Sequence, residues 1–130
     1  MFSRIIRSWA IVLVFAVLGG CNQSSQGPIA ATEITLGSGR PMLVDLGADK
    51  CVPCKQMKPI LDSMREEYAG RMDVIFIDVW ENREQAARFN VRIIPTQIFY
   101  DESGKELYRR VGFIGEDDIL ATWQQLGYTF

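Results

Sequence analysis

Apolar and polar residues fall in blocks along the chain, and the blocks have two different periods. Met42 to Leu46 (MLVDL) is an apolar run of strand length. After Cys51 the period changes. Met57, Leu61, Met64 and Tyr68 recur at spacings of four, three and four, which is one face of a helix. Pro53 lies in its first turn, where a missing N–H costs little, and Gly70 ends it. Met72 to Asp78 (MDVIFID) predicts a strand buried on both faces. Asn82 is placed to cap a short helix from Arg83 to Phe89. Gln97 to Tyr100 and Glu106 to Val111 predict a hairpin around the turn residues Asp101 to Gly104. Asp117 and Asp118 open a last helix, with Ile119, Leu120, Trp123 and Leu126 inward and Gly127 at its end. Thr32 to Leu36 predicts an edge strand. The first half is a βαβ unit, which implies parallel strands and a right-handed crossover. The expected fold class is α/β, a mixed central sheet flanked by helices.

The amino-terminal pattern is different. Arg4 and Arg7 precede an unbroken apolar run, Trp9 to Leu18. A membrane-spanning helix needs ~20 apolar residues, and this run is far shorter. A basic start followed by a short apolar stretch reads as a signal peptide. Leu18-Gly19-Gly20-Cys21 then resembles the lipobox of bacterial lipoproteins. In that family the cysteine thiol receives a diacylglycerol and the chain is cut just before it. The expected organisation is a lipoprotein signal peptide over 1–20, lipidated Cys21 and a flexible tether over 21–31, and a folded domain over 32–130. A cell-envelope protein, lipid-anchored and facing the periplasm, is implied. Asn22, where an aspartate would signal inner-membrane retention, points toward the outer membrane of a two-membrane cell, although which membrane is left open.

Composition removes several functions. The chain has 130 residues, enough for one folded domain, and a formal net charge of −2. Its basic residues form no stripe, so no nucleic-acid partner is expected. Histidine is absent, which excludes Ser–His and Cys–His nucleophile pairs and a Cys₂His₂ zinc site. Of the three cysteines, Cys21 lies far from Cys51 and Cys54, so no metal site is expected.

Cys51-Val52-Pro53-Cys54 places two thiols at the start of a helix. Unpaired backbone N–H groups and the positive end of the helix dipole favour thiolate there, and the thiolate is the nucleophile. Cys54, one turn on, should be the more buried. This arrangement suits attack by Cys51 on a disulfide and release by Cys54. A structural disulfide or a zinc site are the competing readings. The first would restrict the unfolded chain little, and the second lacks two ligands.

These residues bring a wider resemblance into view. Val44-Asp45, Cys51-x-Pro53-Cys54-Lys55, Pro59-Ile60-Leu61, Asp78, Ile94-Pro95-Thr96 and Val111-Gly112 stand in order. From Met42 to Trp123 the chain resembles thioredoxin, and more narrowly the envelope thioredoxin-like lipoproteins. The resemblance implies a thioredoxin-like fold with its first helix truncated. It implies Cys51 as attacking thiol, Cys54 as resolving thiol, and Asp45 as a buried acid that moves the Cys54 proton. It implies a cis Pro95 whose loop, Ile94-Pro95, binds substrate backbone beside Val52 and Pro53. The redox-active disulfide would be the only redox group, with no added cofactor. The chain departs from the family at Lys50 and Gly47, where tryptophans are usual, and at Val74, where a lysine near the buried acid is usual. Two extra residues fall near Trp80, whose expected role is core or edge packing, with lining of a substrate groove as the alternative.

The function implied is reduction of protein disulfides in the envelope, apocytochrome c among the candidate substrates. A membrane electron-transfer protein would be the reductant. An oxidant or isomerase on the same site is the first alternative. A metal carrier and a non-enzymatic binding module are the others.

Overall fold

The computed structural model describes residues 34–130. The segments expected to be a signal peptide and a tether, and Cys21 between them, lie outside the described residues. Seven elements follow in order: β1 (Met42–Gly47), α1 (Val52–Glu67), β2 (Asp73–Asp78), α2 (Arg83–Arg88), β3 (Thr96–Tyr100), β4 (Glu106–Val111) and α3 (Glu116–Gln125). The strands form one sheet in the order β2-β1-β3-β4. β1 pairs parallel with β2 and antiparallel with β3, and β3 pairs antiparallel with β4. The α/β class and the mixed sheet are as the periodicity predicts.

The two central strands, β1 and β3, are buried along their whole length. Their side chains alternate between the two faces of the sheet. Leu43 and Phe99 point to one face and pack with Met57, Leu61 and Met64 of α1 and with Ile119 and Trp123 of α3. Val44, Leu46, Ile98 and Tyr100 point to the other face and meet Ile77 and Phe89. Full burial of one such side chain contributes about 1.5–3 kcal/mol, so the sheet is held chiefly by these two apolar layers. Trp123 is the largest buried side chain. Phe99, Tyr128 and Phe130 stand edge-on to it, with ring centres 4.9, 5.2 and 5.6 Å away.

Four expectations need correction. Residues 34–36 join no strand, so the edge strand expected at Thr32 to Leu36 is absent from the described residues. β2 is only partly buried, because it forms the edge of the sheet and only β1 pairs with it. Asn82 stands at the start of α2, but its side chain does not cap the helix. Its Nδ2 instead donates to the Asp78 carbonyl at 3.1 Å. Trp80 is 53% exposed rather than packed in core or edge, and it lines an open groove with Arg83 and Gln85.

Candidate active site

β1 delivers the chain to the site. It ends at Gly47, and the Cys51 N–H closes a turn by donating to the Ala48 carbonyl at 3.1 Å. Asp78, at the end of the neighbouring β2, holds this turn in place. One carboxylate oxygen accepts from the Asp49 N–H at 2.8 Å. The other accepts from the Trp80 and Glu81 N–H groups at 2.9 and 3.3 Å. Burial pushes the Asp78 carboxyl up, but these backbone donors together outweigh it and leave it below the ordinary carboxylate value.

Cys51 is the N-cap of α1, with extended backbone angles. Its Sγ accepts from the Cys54 N–H at 3.4 Å, so the thiol occupies the place that a serine or aspartate oxygen fills at other helix starts. Val52 and Pro53 occupy the first two helical positions, and Val52 is 70% exposed. Cys51 is half-buried, whereas Cys54 is 1% exposed beneath the first turn. The two sulfurs are joined in a disulfide with Cα atoms 5.2 Å apart. On reduction the same N–H and the helix dipole favour thiolate at Cys51. The neighbouring Lys50 is exposed, so water screens its charge.

Asp45 is fully buried on the α1 face of β1, two residues before Gly47. Burial pushes its carboxyl up to about 6, against the opposing effect of a hydrogen bond from Gln97 Nε2 at 2.6 Å. Asp45 and Gln97 are register partners across β1 and β3. Sequence alone did not single out Gln97. One signal was present: an amide inside an otherwise apolar strand that is buried needs a polar partner.

Gly47 explains a departure from the family pattern. A Cβ there would lie 2.9 Å from Phe76 Cε2, 3.1 Å from Cys54 Cβ and 3.2 Å from Cys54 Sγ. Phe76, opposite Asp45 in the register, fills the space beside the buried sulfur. A larger residue at 47 has no room.

The Ile94–Pro95 peptide is cis. Pro95 is buried, and its loop is pinned from both sides. The Gly112 N–H donates to the Pro95 carbonyl at 2.8 Å, and Thr96 Oγ1 donates to the Ile93 carbonyl at 2.6 Å. Thr96 pairs with Leu46 and with Val111, which places this loop at the end of the sheet where β1 stops and the cysteine turn begins. At this same end Val111 closes β4, Trp80, Ile93 and Phe113 lie just beyond strand ends, and Val52 opens α1, all of them exposed apolar residues. The structure thus brings Cys51, Cys54, Asp45 and the Ile94-Pro95 loop to one end of the sheet, while Cys21 lies outside the described residues.

Comparison with known proteins agrees with this geometry. The thioredoxin family model matches residues 31–125. A thioredoxin of Staphylococcus haemolyticus is 38% identical over 77 residues, covering 59% of this chain and 73% of that protein. Thioredoxin C-2 of Corynebacterium nephridii is 34% identical over 81 residues, covering 62% of this chain and 74% of its own. Among solved structures, the germline-specific thioredoxin Deadhead of Drosophila melanogaster superposes with a TM-score of 0.60 at 27% identity, over 69% of this chain and 84% of that one. The matched span contains the cysteine turn, the buried acid and the cis-proline loop, and the chain belongs to the thioredoxin family of thiol–disulfide oxidoreductases.

Proposed function

We propose that this chain reduces protein disulfides outside the cytoplasm, with Cys51 as nucleophile and Cys54 as resolving thiol. The observation that carries the reading is the position of Cys51 Sγ. It is accessible at the helix N-cap and accepts the Cys54 N–H, with the second sulfur buried behind it. The Cys51 thiolate attacks one sulfur of a substrate disulfide, and the other leaves as thiolate. Cys54 then attacks Cys51 Sγ, forms the internal disulfide and expels the second substrate sulfur. The substrate has gained two electrons and the chain has lost two.

Substrate would lie against Val52, Pro53 and the Ile94-Pro95 loop. The exposed apolar residues around them suit an unfolded segment whose disulfide is accessible, such as apocytochrome c. A lipid on Cys21 would hold the domain at an envelope membrane. A membrane electron-transfer protein would return the two electrons. Reduction of insulin by the full-length chain with dithiothreitol, beside a Cys51→Ser control, tests the activity. Wild type should outpace the control, and equal rates would remove the reading. The potential of the Cys51–Cys54 couple in glutathione buffers tests direction. A value near that of strong oxidants would assign oxidation instead, because ~30 mV changes the equilibrium tenfold for two electrons.

A further inference from the structure

Gln97 stands where an apolar side chain would complete the core. It is fully buried in β3, yet its neighbours Ile98 and Phe99 are apolar core residues. Its Nε2 donates to Asp45 Oδ1 at 2.6 Å. Two buried atoms of this pair have no hydrogen-bond partner among the described residues, Asp45 Oδ2 and Gln97 Oε1. Unpaired buried polar atoms are costly and call for an explanation. A leucine at 97 would avoid that cost on the strand, so the amide needs a reason to be there.

The surroundings of Asp45 give the reason. Its register partner on β2 is Phe76, and α1 presents Cys54 on the same side. Val74, two residues before Phe76, is apolar and buried. Lys58 approaches the Phe76 ring, with Nζ 5.6 Å from its centre, but is engaged by Asp49 at 3.0 Å. No charge contributes to the shift at Asp45: burial and the Gln97 amide are its causes. Gln97 is therefore the polar group that acts on this carboxyl. Gly47, whose Cβ position lies 3.2 Å from Cys54 Sγ, is two residues along the same face. That is about 7 Å of strand rise, and it sets the carboxyl and the buried sulfur on the same side of β1.

We propose that Gln97 is a positioning residue for proton transfer at Cys54, tethering Asp45 by Oδ1 so that Oδ2 is the atom that takes the proton. The proposal rests on the thiol–disulfide exchange described above. In the second step the Cys54 S–H bond breaks and its proton goes to Asp45 Oδ2. The sulfur's electron pair forms the bond to Cys51 Sγ, and the Cys51–substrate bond breaks with its pair on the departing substrate sulfur. That thiolate takes a proton from water. Asp45 returns its own proton when the disulfide is next reduced. Gln97 does not touch the reacting atoms; it fixes the carboxylate and favours its charged form.

The test compares Gln97→Leu and the near-isosteric Gln97→Met with wild type in the full-length chain. Carboxyl NMR of the oxidised protein follows Asp45 alone. Loss of the amide donor should raise its midpoint by about one unit, the worth of one hydrogen bond to a charged group. The pH profile of insulin reduction should move the same way. With Asp45→Asn as background, Gln97→Met should have no further effect on the exchange rate. An unmoved Asp45 midpoint would overturn the proposal, as would an equal loss of rate with Asp45→Asn already present. The NMR titration needs no turnover, so it distinguishes failure at Gln97 from failure of the reductase reading, which shows as equal wild-type and Cys51→Ser rates.

Discussion

Each functional side chain here is defined by one or two short contacts. Cys51 and Cys54 differ in exposure, and that difference supports the proposed roles of nucleophile and resolving thiol. A Cys54→Ser variant should accumulate a mixed disulfide with substrate, because nothing remains to expel it. Non-reducing electrophoresis should show the adduct, and Cys51→Ser should show none. Asp45 makes a second prediction. Its carboxyl titrates near 6 in the folded chain against an ordinary value of 3.8. Between those values the folded chain keeps a proton that the unfolded chain has released, so stability falls as pH rises through the window. The cost is fully present above about 6 and amounts to about 3 kcal/mol. Asp45→Asn should therefore be the more stable protein at pH 8, with the advantage fading toward pH 4, as urea unfolding at the two pH values would show. The cysteine pair was legible in the sequence because its spacing carries the chemistry. Gln97 was not, because its partner lies 52 positions away and only strand pairing joins them.

At the scale of elements, the site depends on how β1 hands over to α1. Asp78 reaches from β2 to hold that turn through the Asp49, Trp80 and Glu81 N–H groups. Asp78→Ala should lower stability by about 2–4 kcal/mol, since three hydrogen bonds worth of order 1 each are lost. Thermal unfolding would measure the loss. Gly47→Ala should cost about 1–3 kcal/mol by overpacking against Phe76 and Cys54. Phe76→Leu should recover part of it, which a double-mutant cycle would detect. Helix and strand periods foretold these elements to within a residue or two. The glycine at 47 looked like a gap in the family pattern, and only the packing of Phe76 shows that the space is taken.

For the molecule as a whole, two apolar layers clamp the sheet, and the cysteines ride at one end of it. The carboxyl-terminal residues complete the layer around Trp123. Tyr128 and Phe130 stack edge-on to its indole, and Tyr128 Oη donates to Glu102 at 2.9 Å. Anchoring is the proposal for the other terminus. Cys21→Ala should move the protein from the membrane fraction to the soluble one, as fractionation would show, because acyl chains supply ~0.8 kcal/mol per buried CH₂. The order of elements, the mixed sheet and the cysteine pair follow from the sequence by itself, because hydrophobic period and cysteine spacing are local properties. Tertiary structure alone decided that β2 lies at the edge, that Trp80 faces solvent, and that Gln97 meets Asp45. Each of these depends on which distant segment becomes a neighbour, and a residue's own surroundings in the chain do not contain that information.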